Sequence, residues 1–325
     1  MKSLVILAPN WLGDAVMALP AIADVRRALP GAAITVAARP PVAPLFQLTP
    51  EVNEVITIER RRWIDAGSDL GDRGFDAALL LPNSLHAALI VKRAGIPERW
   101  GYRTDWRGQL LTRAIVPPSG LHQAEYYQQL VHALGFPNGP LEPRLPVPTA
   151  ARDAAFTLLA DAGWDRRVPL VALAPGAAYG SAKRWPPERF AALVMELAAD
   201  GVSAVMVGSV ADRATADDIK RLAPRIVDLV GRTDLAALAG VISHARTLVT
   251  NDSGAMHLAA AIGTRVTAVF GPTDERATRP LGDRHRVITG TAWCRPCLLR
   301  ECPLDHRCMR TIEAADVVAH VRGIV

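Results

Sequence analysis

The sequence predicts an α/β protein of two Rossmann-like domains, each a parallel sheet wrapped by helices. Three observations carry that prediction. Short apolar runs of strand length alternate with segments of helical periodicity along the chain, the pattern left by parallel strands buried on both faces. The stretch Phe136 to Pro148 holds five prolines, which neither helix nor strand interiors tolerate, so it reads as a linker between domains at 1–150 and 151–325. The second half repeats the design of the first, with Leu7-Ala8-Pro9-Asn10 echoed by Leu173-Ala174-Pro175-Gly176. A chain of 325 residues exceeds a comfortable single core, and two such domains facing each other would enclose a cleft where their strand C-termini converge.

In the first domain, Leu4 to Ala8 is a strand, followed by a turn and an apolar face at Leu12, Val16, Leu19 and Ala23 with helical spacing. Pro20 inside that helix should kink it or shift its register. Ile34 to Ala38, Val55 to Ile58 and Ala77 to Leu81 are further strands, and Arg60-Arg61-Arg62-Trp63 is a basic loop. Ser84 can cap a helix running through Leu89 to Lys92, and Gln123 to Leu134 is another. In the second domain, strands are expected at Val168 to Ala174, Ala204 to Val207, Ile226 to Val230, Thr247 to Thr250 and Val266 to Phe270. Helices are expected from Pro186-Pro187-Glu188 to Ala199, and over Asp212 to Leu222 and Leu235 to Ile242.

The chain centres on the polar turn Thr250-Asn251-Asp252-Ser253-Gly254-Ala255-Met256-His257. It closes one apolar strand and opens a helix that stops at Gly263. Asp252 or Ser253 can cap that helix, and Gly254 leaves its first amides unshielded, so an anion such as a phosphate could rest on the positive end of the dipole. Taken alone, these eight residues are better read as an ordinary capped helix, because capping signals are far commoner than phosphate sites. Likewise Asp14 alone is a turn residue and cap, Lys183 and Arg184 are solvated charges, His257 is a buried histidine and Trp185 is packing.

Composition narrows the function classes. The net charge of +5 and pI of about 9.3, with few aromatics and no long Lys/Arg run, argue against nucleic acid and for an anionic substrate or membrane surface. The segment Leu4 to Ala8 is too short for a signal-peptide core and no apolar stretch reaches spanning length, so a cytoplasmic protein is expected. No G-x-G-x-x-G follows a strand, Gly176 to Lys183 fails the P-loop spacing, and neither H-E-x-x-H nor G-x-S-x-G occurs. Four cysteines, Cys294, Cys297, Cys302 and Cys308, fall within fifteen residues. In a reducing compartment the Cys-x-x-Cys start, with His306 nearby, suits a small structural zinc knuckle, with free structural thiols as the alternative and a catalytic role under neither.

Three strand-to-helix turns remain: Pro9-Asn10-Trp11-Leu12-Gly13-Asp14-Ala15-Val16-Met17 with Leu19-Pro20-Ala21, Pro175-Gly176 ahead of Lys183-Arg184-Trp185-Pro186, and Asp252-Ser253-Gly254-Ala255-Met256-His257. Together, in this order, they resemble the ADP-heptose:lipopolysaccharide heptosyltransferases, over residues 4 to about 274. The Asn10 to Asp14 opening is most similar to heptosyltransferase II. The resemblance implies a GT-B fold, with acceptor bound mainly by the N-terminal domain and ADP-sugar mainly by the C-terminal one. It also implies inverting transfer without a catalytic metal. By the same resemblance, Asp14 is the general base and Lys183 a diphosphate ligand. Asn10, Gly13, Ser181, Asp212, Asp252, Ser253, Gly254 and His257 are implied to bind substrate. Asp212 stands where the family often has a glutamate on the nucleoside, and Ala178 and Tyr179 stand where it often has hydroxyl residues. The implied partners are ADP-heptose, a lipid A-Kdo-heptose acceptor and the cytoplasmic face of the inner membrane. The implied activity is transfer of L-glycero-D-manno-heptose to the inner core of lipopolysaccharide, at the second heptose; a heptosyltransferase of another core position, a GT-B-fold sugar-nucleotide epimerase and a nucleotide-sugar-binding protein are the alternatives.

Overall fold

The computed structural model describes residues 1–59, 67, 69–164 and 166–325, so the basic run Arg60-Arg61-Arg62-Trp63 lies outside the described residues. Two compact units divide between Arg144 and Leu145, inside the proline-rich stretch. The division precedes residue 150 because Leu145 already donates its backbone N–H to Ala261 O at 2.9 Å, committing the chain to the second unit before the helix Thr149–Asp161 begins.

The first unit holds β1 (Ser3–Leu7), β2 (Ala33–Ala38), β3 (Glu54–Thr57), β4 (Ala77–Leu80), β5 (Glu98–Tyr102) and β6 (Arg113–Ile115) in the order β3-β2-β1-β4-β5-β6. The second holds β7 (Leu170–Ala174), β8 (Ser203–Met206), β9 (Val227–Asp228), β10 (Thr247–Asn251), β11 (Arg265–Phe270) and β12 (Arg286–Thr289) in the order β12-β11-β10-β7-β8-β9. Every pairing is parallel. Counted within its own unit each sheet has the same order, which reverses between β1 and β4 in the first and between β7 and β10 in the second. At such a reversal the helices leave to opposite faces and open a crevice beyond the strand C-termini, where α/β sheets bind ligands.

The expected strands include the central, apolar ones, of which β4, β7 and β10 are buried at every residue, and the edge strands β3 and β9. Sequence reading missed β5, β6 and β12, in which arginines and other exposed residues break the apolar run, and β9 shrank to two residues. Pro20 splits its helix into Leu12–Met17 and Leu19–Ala28, lying in the first turn of the second, where its missing N–H has no helical partner to lose. Ser84 Oγ accepts from Ala87 N at 3.3 Å, as a cap should.

One polar knot pins the first unit's helices. Asp24, fully buried, pairs with Arg27 and accepts from Gln128 Nε2 at 2.9 Å. The same nitrogen donates to Gly139 O at 3.0 Å, and the Arg27 guanidinium lies where a Cβ at position 139 would stand.

Burial raises the phenols of Tyr102, Tyr126 and Tyr127 above their ordinary range, and the charge of Asp14 adds to the rise at Tyr127. Folding therefore holds these protons more tightly than the unfolded chain, whose tyrosines ionise near about pH 10. Their contribution is intact below that pH and is lost as pH rises above it. Urea midpoints should fall above about pH 10, less steeply in Tyr127→Phe; equal slopes in both proteins would contradict this.

Candidate active site

The second unit's site is assembled by Asn251, the last residue of β10. Its fully buried side chain donates from Nδ2 to Pro175 O at 2.7 Å and Gly176 O at 3.4 Å, and accepts at Oδ1 from Trp185 N at 3.0 Å. Two carbonyls and one N–H leave the amide a single orientation. Trp185 is itself fully buried and donates from its indole to Ile312 O at 3.0 Å. The segment between Pro175 and Trp185 is thus held at both ends against the end of β10.

That anchoring brings Lys183 to Asp252. Nζ lies 2.5 Å from Oδ2, with the two side chains only 13% and 6% exposed. Thr273 Oγ1, in the turn after β11, donates to the same Oδ2 at 2.8 Å, and the Tyr179 ring lies 4.7 Å from Nζ. Neither expected cap is made. The Asp252 carboxylate is taken by Lys183 and Thr273, while Ser253, at the N-cap position of the helix Gly254–Ala261, sets Oγ 3.0 Å from Thr250 Oγ1. The amides of that helix start carry no side-chain cap, an end suited to an anion. Gly254 opens the helix, His257 is buried one turn in, and Ser181 is exposed at the head of the short turn Ser181–Lys183.

Asp212 joins the same edge. It accepts from Ser209 N at 2.9 Å and Ser209 Oγ at 2.8 Å, and its carboxylate fills the space beside Gly176, where a Cβ would come within 2.3 Å of Oδ1. A larger residue at Gly176 would have to displace that carboxylate.

In the first unit, Asp14 is the third residue of the helix Leu12–Met17, whose N-cap position is Trp11, so the reading of Asp14 as a cap is corrected. Tyr127 Oη donates to Asp14 Oδ1 at 3.5 Å. Held protonated, that phenol can steady and orient the carboxylate. Gly13 is half-buried in the helix start, and Asn10 is exposed in the turn after β1.

Beyond the end of β4, Asn83 Nδ2 donates to Tyr126 Oη at 2.8 Å. Arg107 is fully buried and donates to the carbonyls of Tyr102 at 2.8 Å, Ser84 at 3.3 Å and Pro82. Burial pulls its guanidinium down to about 10, so it keeps its charge at neutral pH. Sequence reading singled out none of Tyr127, Asn83, Tyr126 or Arg107, because each is a lone polar residue without a motif. Asn251 and Thr273 did leave a signal, as polar residues at or just beyond the ends of apolar strands.

All four cysteines line one cavity of about 400 Å³, together with Ala182 and Pro272. Burial first, and then the neighbouring thiols, push the Cys308 thiol up. Among the described residues, no group of three or more His, Cys, Asp or Glu side chains is arranged to hold a metal ion, and no helix is long and apolar enough to cross a membrane.

Comparison with known proteins finds similarity to glycosyltransferases. The sequence pattern of glycosyltransferase family 9 (heptosyltransferase) matches residues 63–307. The lipopolysaccharide heptosyltransferase 2 of Salmonella typhimurium is 33% identical over 312 residues, covering 89% of this chain and 88% of that protein. The structure of Escherichia coli ADP-heptose lipopolysaccharide heptosyltransferase II superimposes with a TM-score of 0.85 at 30% identity, covering 100% of this chain and 98% of that one. The family 9 glycosyltransferase structure from Veillonella parvula, at 19% identity and a TM-score of 0.87, shares the fold.

Replacing Asn251 with Ala strips partners from buried backbone groups at Pro175 and Trp185. Stability should fall by about 2–4 kcal/mol, read from the urea midpoint. A loss below about 0.5 kcal/mol, the range of a surface change, would show that the amide does not hold the turns.

Proposed function

The chain belongs to glycosyltransferase family 9, the heptosyltransferases, and from that premise we propose that it adds the second heptose of the lipopolysaccharide inner core, taking L-glycero-D-manno-heptose from ADP-heptose. The protein is a heptosyltransferase of GT-B-like fold acting on the lipopolysaccharide core, which sets aside the epimerase and binding-protein alternatives.

The observation that carries the finer reading is the Lys183–Asp252–Thr273 group at the reversal point of the second sheet. A donor diphosphate there competes with Asp252 for the Lys183 ammonium and shares the uncapped end of the helix Gly254–Ala261. As the bond from the anomeric carbon to ADP breaks, negative charge grows on the leaving phosphate, and Lys183 with the helix amides stabilises it. Asp252, held by Thr273, keeps the ammonium in place between turnovers. Asp212, beside the turn after β7, is assigned to the nucleoside end of the donor. Asn10, Gly13, Ser181 and His257 complete the proposed substrate-binding set.

Asp14 is assigned as the base. The acceptor hydroxyl attacks the anomeric carbon from the face opposite the departing ADP, giving inversion, and its proton passes to the Asp14 carboxylate, which Tyr127 orients. Lysine and amides supply the charge stabilisation in this mechanism, and no step in it calls for a metal. A structural zinc at Cys294, Cys297, Cys302 and Cys308 is a separate proposal: the four thiols share a cavity but are not arranged as a metal-holding group, and metal analysis of the purified protein decides between zinc and free thiols.

With a net charge of +5, the protein is proposed to meet the anionic, lipid-linked acceptor at the cytoplasmic face of the inner membrane. Pelleting with anionic vesicles should weaken steeply as salt rises; a bound fraction insensitive to salt would refute this electrostatic attachment.

The deciding experiment mixes the protein with ADP-heptose and a lipid A-Kdo acceptor carrying one heptose, and measures ADP release that depends on acceptor. Asp14→Asn keeps an oxygen for the Tyr127 hydroxyl and loses the proton-accepting charge. Turnover should fall about a hundredfold or more, with folding and ADP-heptose binding preserved. Wild-type turnover in this variant would remove Asp14 as the base.

A further inference from the structure

We infer that the cysteine-bearing segment from Arg295 to Arg300 is a bracket that sets the Lys183–Asp252 pair, with Tyr179 and Arg295 as its positioning residues. The inference rests on the reading of Lys183 as a donor-diphosphate ligand and concerns what holds that lysine in place.

The bracket grips both sides of the pair. On the Lys183 side, Tyr179 Oη donates to Leu298 O at 2.7 Å and Ala182 N donates to Arg300 O at 3.0 Å. Gly180 packs so closely on that second carbonyl that a Cβ would stand 2.2 Å from it. On the Asp252 side, Leu298 N donates to Pro272 O at 2.9 Å. Arg295 donates to Gly271 O at 2.6 Å and Thr273 O at 3.4 Å, and pairs with Glu275 at 2.5 Å. Thr273 is the residue that bonds Asp252.

Leu298 is the pivot. Its φ of 57° is a conformation a leucine adopts only against steric cost, and its side chain is exposed, so its own packing does not account for that conformation. Its peptide N–H and C=O, however, reach the two loops at once. Tyr179 adds a second link, since the Arg300 guanidinium lies 5.2 Å and the Lys183 ammonium 4.7 Å from its ring centre. The gap between Lys183 and Asp252 is therefore referred to one short segment. The thiol-lined cavity, walled also by Ala182 and Pro272, abuts both grips.

ADP binding by calorimetry tests this without relying on transfer. Tyr179→Phe keeps the ring and removes the hydroxyl; Arg295→Ala removes the fork. Each should weaken ADP roughly threefold to tenfold, the size of one or two lost hydrogen bonds, and raise the KM for ADP-heptose while the acceptor KM stays unchanged. In a Lys183→Ala background, Tyr179→Phe should weaken ADP little further, because the bracket acts through that lysine. Wild-type ADP affinity in both variants, full additivity with Lys183→Ala, or equal rises in donor and acceptor KM would overturn the bracket. A wild-type protein that binds no ADP would instead refute the donor-site reading itself.

Discussion

The second unit depends on one buried amide. Parallel strands end with carbonyls and N–H groups that the ladder no longer pairs, and at the reversal between β7 and β10 those ends are buried. An unpaired buried backbone group costs on the order of 1–3 kcal/mol, so the ends need a partner with donors and an acceptor in one place. Asn251 is such a partner, and by meeting that requirement it holds the loop that carries Lys183. Fold stability and the placement of a charged side chain are one constraint here. Gly176 belongs to it as well, because the Asp212 carboxylate occupies the place of its side chain.

The Lys183–Asp252 pair gains meaning from that setting. Two charges removed from water lose solvation that their mutual attraction only partly returns, so a nearly buried ion pair is a weak device for stability. A pair that can exchange one partner is a good device for binding an anion. In the proposed donor site the ammonium is already desolvated and oriented, which lowers the cost of ordering it when a diphosphate binds. Thr273 holds the carboxylate directly, and Leu298 bonds the loop that carries Thr273.

The first unit solves a different problem with the same strand order. Tyr127 donates to the Asp14 carboxylate, while Asn83 donates to Tyr126 and buried Arg107 ties the turn after β4 to the end of β5. Burial keeps the phenol protonated, so it donates to the carboxylate without taking its charge. That division of labour suits a base that must stay ionised and aimed.

The sequence by itself determined the α/β class, the two-part organisation, the central strands and the three turns that carry Asp14, Lys183 and Asp252, because buried parallel strands leave continuous apolar runs and strand-to-helix turns leave Gly, Pro and Asp at set places. It left β5, β6 and β12 unread, since arginines and other polar or exposed residues interrupt their apolar runs, β6 and β12 as sheet edges and β5 at its exposed start. Only the tertiary structure decided which partner each polar side chain takes. Asp252 could cap its own helix as far as local chemistry goes, and turns instead to Lys183, 69 positions away, and to Thr273. Tyr127 reaches Asp14 across 113 positions, and Tyr179 reaches Leu298 across 119. Local propensity carries no information about such pairings, because they are set by strand order and by the need to satisfy every buried polar group at once.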